Sequence, residues 1–96
     1  MSNYRNRKLL DLAHQLPCQC CGRGEASEPA HSNFHQHGKG MSIKAHDVFF
    51  AALCHDCHRE LDQGKSMTFD KRFDMWQRAH DKTLLEIFRR GLVRVL

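Results

Sequence analysis

Two Cys-x-x-Cys pairs, Cys18-x-x-Cys21 and Cys54-x-x-Cys57, lie 32 residues apart in a chain that also carries eight histidines. Two intervening residues let both sulfurs of a pair turn toward one tetrahedral ion, and Gly22 eases the tight backbone after Cys21. Four thiolates at this spacing make a closed site for a structural zinc ion. Cys20 is the fifth cysteine and is read as a non-ligand, with an exchange of register between Cys20 and Cys21 left open. His58 follows Cys57 directly and is an alternative zinc ligand in place of one thiolate. The loop between the pairs has little apolar content, so zinc binding should be coupled to folding.

The remaining composition favours zinc over disulfides. The chain of 96 residues, 11.2 kDa, is read as a single domain, residues 1–96. A domain this short removes only a modest fraction of its apolar surface from water and needs a staple. The basic start MSNYRNRK precedes an apolar stretch (Leu9, Leu10, Leu12, Ala13) that Asp11 interrupts and His14-Gln15 ends, too short and polar for a signal core. No stretch is long and apolar enough to span a membrane. A reducing cytoplasm is therefore expected, where paired cysteines bind metal more often than they pair with each other. The formal charge of +4 and pI near 9.0 suggest a polyanionic partner, although four thiolates and one divalent ion lower that charge by two. The positive residues cluster at Arg5, Arg7 and Lys8, at Arg89, Arg90 and Arg94, and at Lys39 and Lys44 between.

The elements that must position these groups are short. Tyr4, Leu9, Leu12, Ala13 and Leu16 have helical spacing, which predicts a helix over 3–16 ended by Pro17. Residues 17–29 read as a knuckle and loop, and 31–44 as an ordered loop rich in His and Gly. The apolar run 47–53 predicts a strand or extended segment leading into Cys54, and 55–63 a short helix with Gly64 at its end. Thr68 and Asp70 start a last helical region, in which Phe69, Phe73, Trp76, His80, Leu84, Ile87 and Phe88 form a stripe expected to be buried. His80-Asp81 is a candidate break between two helices, and Gly91 ends the region.

Ala30-His31-Ser32, the loop through Gly38-Lys39-Gly40, Asp47 seven residues before Cys54, and Cys54-x-x-Cys57-His58-x-Glu60-Leu61-Asp62 resemble a known pattern. They are similar to the HNH, or ββα-metal, nuclease superfamily in its zinc-stapled form, and within it to the small lambdoid prophage nuclease family typified by YbcO. The similarity continues to Arg89-Arg90-Gly91-Leu92-Val93. The resemblance implies an α+β, mostly α fold: a small zinc-stapled ββα-metal (HNH/treble-clef-like) core with flanking N- and C-terminal helices. It also implies a phage or prophage endonuclease, acting on DNA in the bacterial cytoplasm, that hydrolyses phosphodiester bonds with Mg²⁺ or a similar divalent ion. By position, His31 would be the general base and His58 a ligand to the catalytic ion, with Asp47 either a second ligand or the residue that orients His31.

Two positions depart from the superfamily pattern: Ala30 stands where an acidic metal ligand often precedes the base, and Asp47 where Asn or His is usual. Asp62, His35 or His37 could substitute as ligands, or the site could be degenerate. Outside that substitution, Asp62 is read as an exposed helix residue, and His35, His37, His46 and His55 as solvated. Trp76 and the Phe stripe are read as core. Two readings compete with the nuclease: a non-catalytic zinc module that binds nucleic acid, and a zinc-stapled protein-interaction domain.

Overall fold

The computed structural model describes residues 2–24 and 26–96; Met1 and Glu25, which fall in the basic start and the knuckle loop of the sequence reading, lie outside the described residues. A helix α1 (Arg7–Asp11) runs into a 3-10 turn (Leu12–Gln15), and strand β1 (Glu28–His31) is followed by a second 3-10 turn (His35–His37). Strand β2 (Phe50–Leu53), helix α2 (His55–Gln63) and helix α3 (Phe69–Arg89) complete an α+β fold. No helix among the described residues is long and apolar enough to cross a membrane.

β2 is buried at every position because both of its faces are covered. It pairs antiparallel with β1, with Glu28 opposite Leu53 and His31 opposite Phe50. On one face Ala30, Ala51 and Leu53 pack with Leu61 of α2 and Trp76 and Ala79 of α3. On the other, Phe50 and Ala52 pack with Ala13, Leu16 and Ile87. A strand buried on both sides reads as a continuous apolar run, as Phe-Ala-Ala-Leu does.

The outer edge of β2 is closed by α3. In an antiparallel ladder alternate residues turn their N–H and C=O away from the partner strand, and at Phe50 and Ala52 those groups point outward. The Ala52 amide donates to Thr83 Oγ1 at 2.9 Å, the Ala52 carbonyl accepts from the Gln19 amide at 2.9 Å, and the Phe50 carbonyl bonds His80 Nδ1 at 2.8 Å. Trp76 adds an indole N–H to the Ala30 carbonyl at 3.0 Å. Residues 76, 80 and 83 lie on one line of α3, so one side of the helix serves as a third strand. Pro29, opposite Ala52, has no N–H to leave unpaired on the β1 edge.

This arrangement corrects three expectations. α3 is one helix of 21 residues with no break at His80-Asp81: the His80 ring stacks on Trp76 (4.8 Å, 8°), and Asp81 accepts from Gln77 one turn earlier. Its buried line is Trp76, Ala79, Thr83 and Ile87, while Phe69, Leu84 and Phe88 are exposed by 66%, 47% and 47%. A helix laid along a strand edge touches it with a narrow line, and the small residues Ala79 and Thr83 allow that approach. The N-terminal helix is also shorter than 3–16, since residues 3–6 are spent elsewhere. Asn3 Nδ2 donates to the carbonyls of Gly38 and Lys44, the Tyr4 amide donates to His46 Nδ1, and the Asp47 amide donates to the Tyr4 carbonyl. Asn6 then caps α1, accepting from the Leu9 amide.

Thr83 lies 1% exposed and also donates to the Ala79 carbonyl. Thr83→Val keeps the shape and removes the acceptor for the Ala52 amide, and is expected to cost about 1–3 kcal/mol in chemical denaturation. Thr83→Ser should recover most of that loss; equal stability of Val and Thr variants would rule out this account of the edge.

Candidate metal centre and histidine sites

The first knuckle folds because its backbone points at one sulfur. The amides of Cys20 and Cys21 each lie 3.4 Å from Cys18 Sγ, and the Gly22 amide returns to the Cys18 carbonyl at 3.0 Å. That turn puts Gly22 at φ +83°, a left-handed conformation that glycine adopts without steric cost. The second knuckle is the junction of β2 and α2. Cys54 is the N-cap of α2, its sulfur accepting from the Cys57 amide at 3.4 Å, so the helix start aims both sulfurs at the first pair.

The four sulfurs of Cys18, Cys21, Cys54 and Cys57 all lie within 4.8 Å of one another and could hold a metal ion. Cys21 and Cys54 are 3.8 Å apart, about the edge of a tetrahedron with metal–sulfur bonds of roughly 2.3 Å, which is compatible with zinc. The register is Cys21 rather than Cys20, and His58 turns to carboxylates and not to the sulfurs. Burial pushes the Cys18 thiol up, but the amide of Cys21, with further hydrogen bonds from Cys54 and Cys20, outweighs it and brings the thiol down to about 6. Cys57 moves far up, through burial and through the hydrogen bonds it gives its three neighbours. Thiols this close give up one proton readily and the last with difficulty, so a full thiolate set needs a cation among them.

His31, the last residue of β1, bonds through Nε2 to Asp47 Oδ1 at 2.8 Å. Asp47 is 3% exposed, and its other contacts come from the N-terminal segment: the Asn6 amide donates to Oδ2 at 2.6 Å and Arg5 reaches Oδ1 at 3.3 Å. Burial alone would raise the Asp47 carboxyl, but the bonds from His31 and the Asn6 amide, with the charges of His31 and Arg5, outweigh it and lower it below the ordinary value. Arg5 is itself fixed by the carbonyls of Lys44 and Ala45.

His58 has different carboxylates. Its Nδ1 lies 2.7 Å from Glu28 Oε1 and its Nε2 lies 3.2 Å from Asp62 Oδ2, one turn along α2. Asn33 donates to the second Asp62 oxygen at 2.7 Å. Side chains alternate along β1, so Glu28 shares the face of Ala30, toward α2, while His31 shares the opposite face with Phe50. Asn33, two residues past His31, reaches back to Asp62 of α2.

One family pattern, described as Protein of unknown function (DUF968), matches residues 1–89, taking in all four cysteines, His31, Asp47 and His58. The chain belongs to the DUF968 family. Over 45 residues it is 49% identical to the uncharacterized protein YdfU of Escherichia coli K12; the matched stretch is 47% of this chain but 12% of YdfU. No solved structure matches.

Several expectations about this DUF968 site change with the geometry. Asp62 is an exposed residue of α2, as expected, and in addition bonds both His58 and Asn33. His37 is half-buried, its Nδ1 2.6 Å from Ser32 Oγ and its ring stacked on Phe49 at 4.4 Å, and burial first and then the charge of His80 lower its pKa. His46 is also partly buried, with its ring against Gly38, where φ is +91° and an added Cβ would sit 2.7 Å from His46 Cδ2. Glu28, Asn33 and Arg5 were not anticipated. Glu28 had a signal: it sits two residues before Ala30 and so shares its strand face. Arg5 and Asn33 had none, because their partners lie about 40 and 29 residues away.

Two outcomes are expected from this geometry. The purified DUF968 chain should carry one tightly bound metal ion, and Cys54→Ala should lose both the ion and the cooperative unfolding transition; unchanged unfolding without metal would refute the coupling. Asp47→Asn should destabilise the fold by about 2 kcal/mol near neutrality. Because the folded carboxyl titrates below its unfolded value, its contribution is full above roughly pH 4 and is lost as pH falls through the folded pKa. The gap between wild type and Asp47→Asn should therefore close in acid, and a gap constant down to pH 2 would contradict it.

Proposed function

We propose that this DUF968 chain is a metal-dependent nuclease of the ββα-metal type, stapled by zinc at the four cysteines and hydrolysing phosphodiester bonds in DNA. The observation that carries the reading is the His31–Asp47 pair at the end of β1, the strand that pairs with β2 ahead of the knuckle helix. The order β1, β2, α2, with His31 on the first strand and His58 on the helix, is the order that the HNH resemblance requires.

His31 is suited to act as the base. Its Nε2–H donates to the Asp47 carboxylate, an assignment made from the hydrogen bond, which leaves the Nδ1 lone pair to take a proton from water. The Asn6 amide and Arg5 hold the carboxylate still, so Asp47 fixes the tautomer and stabilises the imidazolium that forms.

Two residues are placed to hold a catalytic divalent ion. His58 Nε2 and Asp62 Oδ2 are 3.2 Å apart, close to the roughly 3 Å between adjacent ligands of an octahedral ion bound at 2.0–2.1 Å. Glu28 on His58 Nδ1 and Asn33 on Asp62 Oδ1 are the outer partners that keep two such ligands aimed. Glu28 also supplies an acid on the strand face where Ala30 lacks one. When bound, the ion would stabilise charge on the phosphate and the leaving oxygen.

The decisive measurement is cleavage of plasmid DNA by zinc-loaded protein with and without Mg²⁺ or Mn²⁺. Wild type should cut only with the ion, and His31→Ala, with its fold confirmed, should cut about 10²–10⁴-fold more slowly. Absence of cutting with retained, salt-sensitive DNA binding would favour the non-catalytic binding module instead.

A further inference from the structure

Beside Asn33 and Asp62 lies a small cavity of about 110 Å³, lined by Asn33, Phe34, Leu61, Phe69, Arg72 and Trp76. It falls well below the roughly 300 Å³ at which pockets for whole small molecules begin, so it has room for a single planar ring. Its walls suit such a ring. Phe34 sits edge-on to Phe69 (5.6 Å), Phe73 (4.8 Å) and Trp76 (5.9 Å), which fixes the back of the cavity. Phe69, the first residue of α3, is 66% exposed and stands at the cavity with a free face.

The polar groups at the mouth fit the edge of a heterocycle. Asn33 spends one amide hydrogen on Asp62, and among the described residues its Oδ1 has no partner, so it is available to a ring N–H. Arg72 is pinned by the carbonyls of Leu61 and Gly64 at the end of α2, which holds its guanidinium in place at the mouth. Asn33 belongs to both sites, since the amide that borders the cavity also orients Asp62.

We propose that this cavity takes one unstacked nucleobase of the substrate, next to the phosphodiester to be cut, by stacking on Phe69 and by hydrogen bonding to Asn33. The proposal rests on the nuclease reading for its substrate class. It makes the preferred substrate a nucleic acid with an unpaired or easily extruded base rather than a continuous duplex, because extrusion costs least where pairing is already absent.

The test uses the zinc-loaded chain without magnesium and two DNA duplexes, one with a single bulged 2-aminopurine and one fully paired. Wild type should bind the bulged duplex about tenfold more tightly, with a change in 2-aminopurine fluorescence from stacking on Phe69. Phe69→Ala should abolish both the preference and the fluorescence change while leaving affinity for the paired duplex unaltered, and Phe69→Tyr should restore them. Phe69 is exposed, so circular dichroism should confirm that the Ala variant folds. Equal affinity of wild type for the two duplexes, or a preference that survives Phe69→Ala, would overturn the proposal. A bulge preference in protein that still leaves both duplexes uncut once Mg²⁺ or Mn²⁺ is added would retain the cavity and remove the nuclease reading; binding of neither duplex would overturn the cavity proposal.

Discussion

Four sulfurs drawn within 4.8 Å of one another are the constraint on which the rest of this fold depends. Thiolates at that distance repel, and neutral thiols leave the amides that point at Cys18 and Cys54 with weak acceptors. A cation among them removes both costs. The consequence reaches beyond the knuckles, because Cys54 is both the last link of β2 and the cap of α2. Fixing its sulfur fixes the angle between strand and helix, and with it the approach of His58 to Glu28 across the strand face.

The second support is the edge of β2. A two-stranded sheet is marginal in isolation, and this one leaves outward N–H and C=O groups at Phe50 and Ala52. Thr83, His80 and Gln19 take those groups, and Trp76 takes a carbonyl of the other strand. Hydrogen bonds of this kind contribute little net when made and cost much when missing, so they specify where α3 lies rather than how stable it is. That placement exposes Phe69 at one end of the helix and Leu84 and Phe88 along its outer side.

What could be read from the sequence divides along physical lines. The cluster of four cysteines, the strand leading into Cys54, α2 and the start of α3 were legible because each rests on local rules: Cys-x-x-Cys spacing, an apolar run, and the helix signals at Gly64 and Thr68. The buried line of α3 was not, since apolar spacing does not distinguish a helix that packs on a broad face from one that lies along a strand edge. Residues 3–6 misled for a related reason. Their polar side chains and amides are claimed by carbonyls and by His46 and Asp47 some 40 positions away, a distance at which no local pattern operates.

The same segment explains how a site without an acid at position 30 still has a coherent arrangement. Ala30 is fully buried beneath Trp76, which bonds to its carbonyl, so a carboxylate there would be placed in the core without a partner. The acidic groups lie instead at positions where each is satisfied. Asp47 is buried but met by the Asn6 amide, Arg5 and His31, while Glu28 and Asp62 sit nearer solvent on either side of His58. The two histidines thus have separate sets of carboxylates, on opposite faces of β1. In the nuclease proposed above, such a division would let one imidazole accept a proton while the other stays committed to a cation, because a single shared carboxylate would couple their charges.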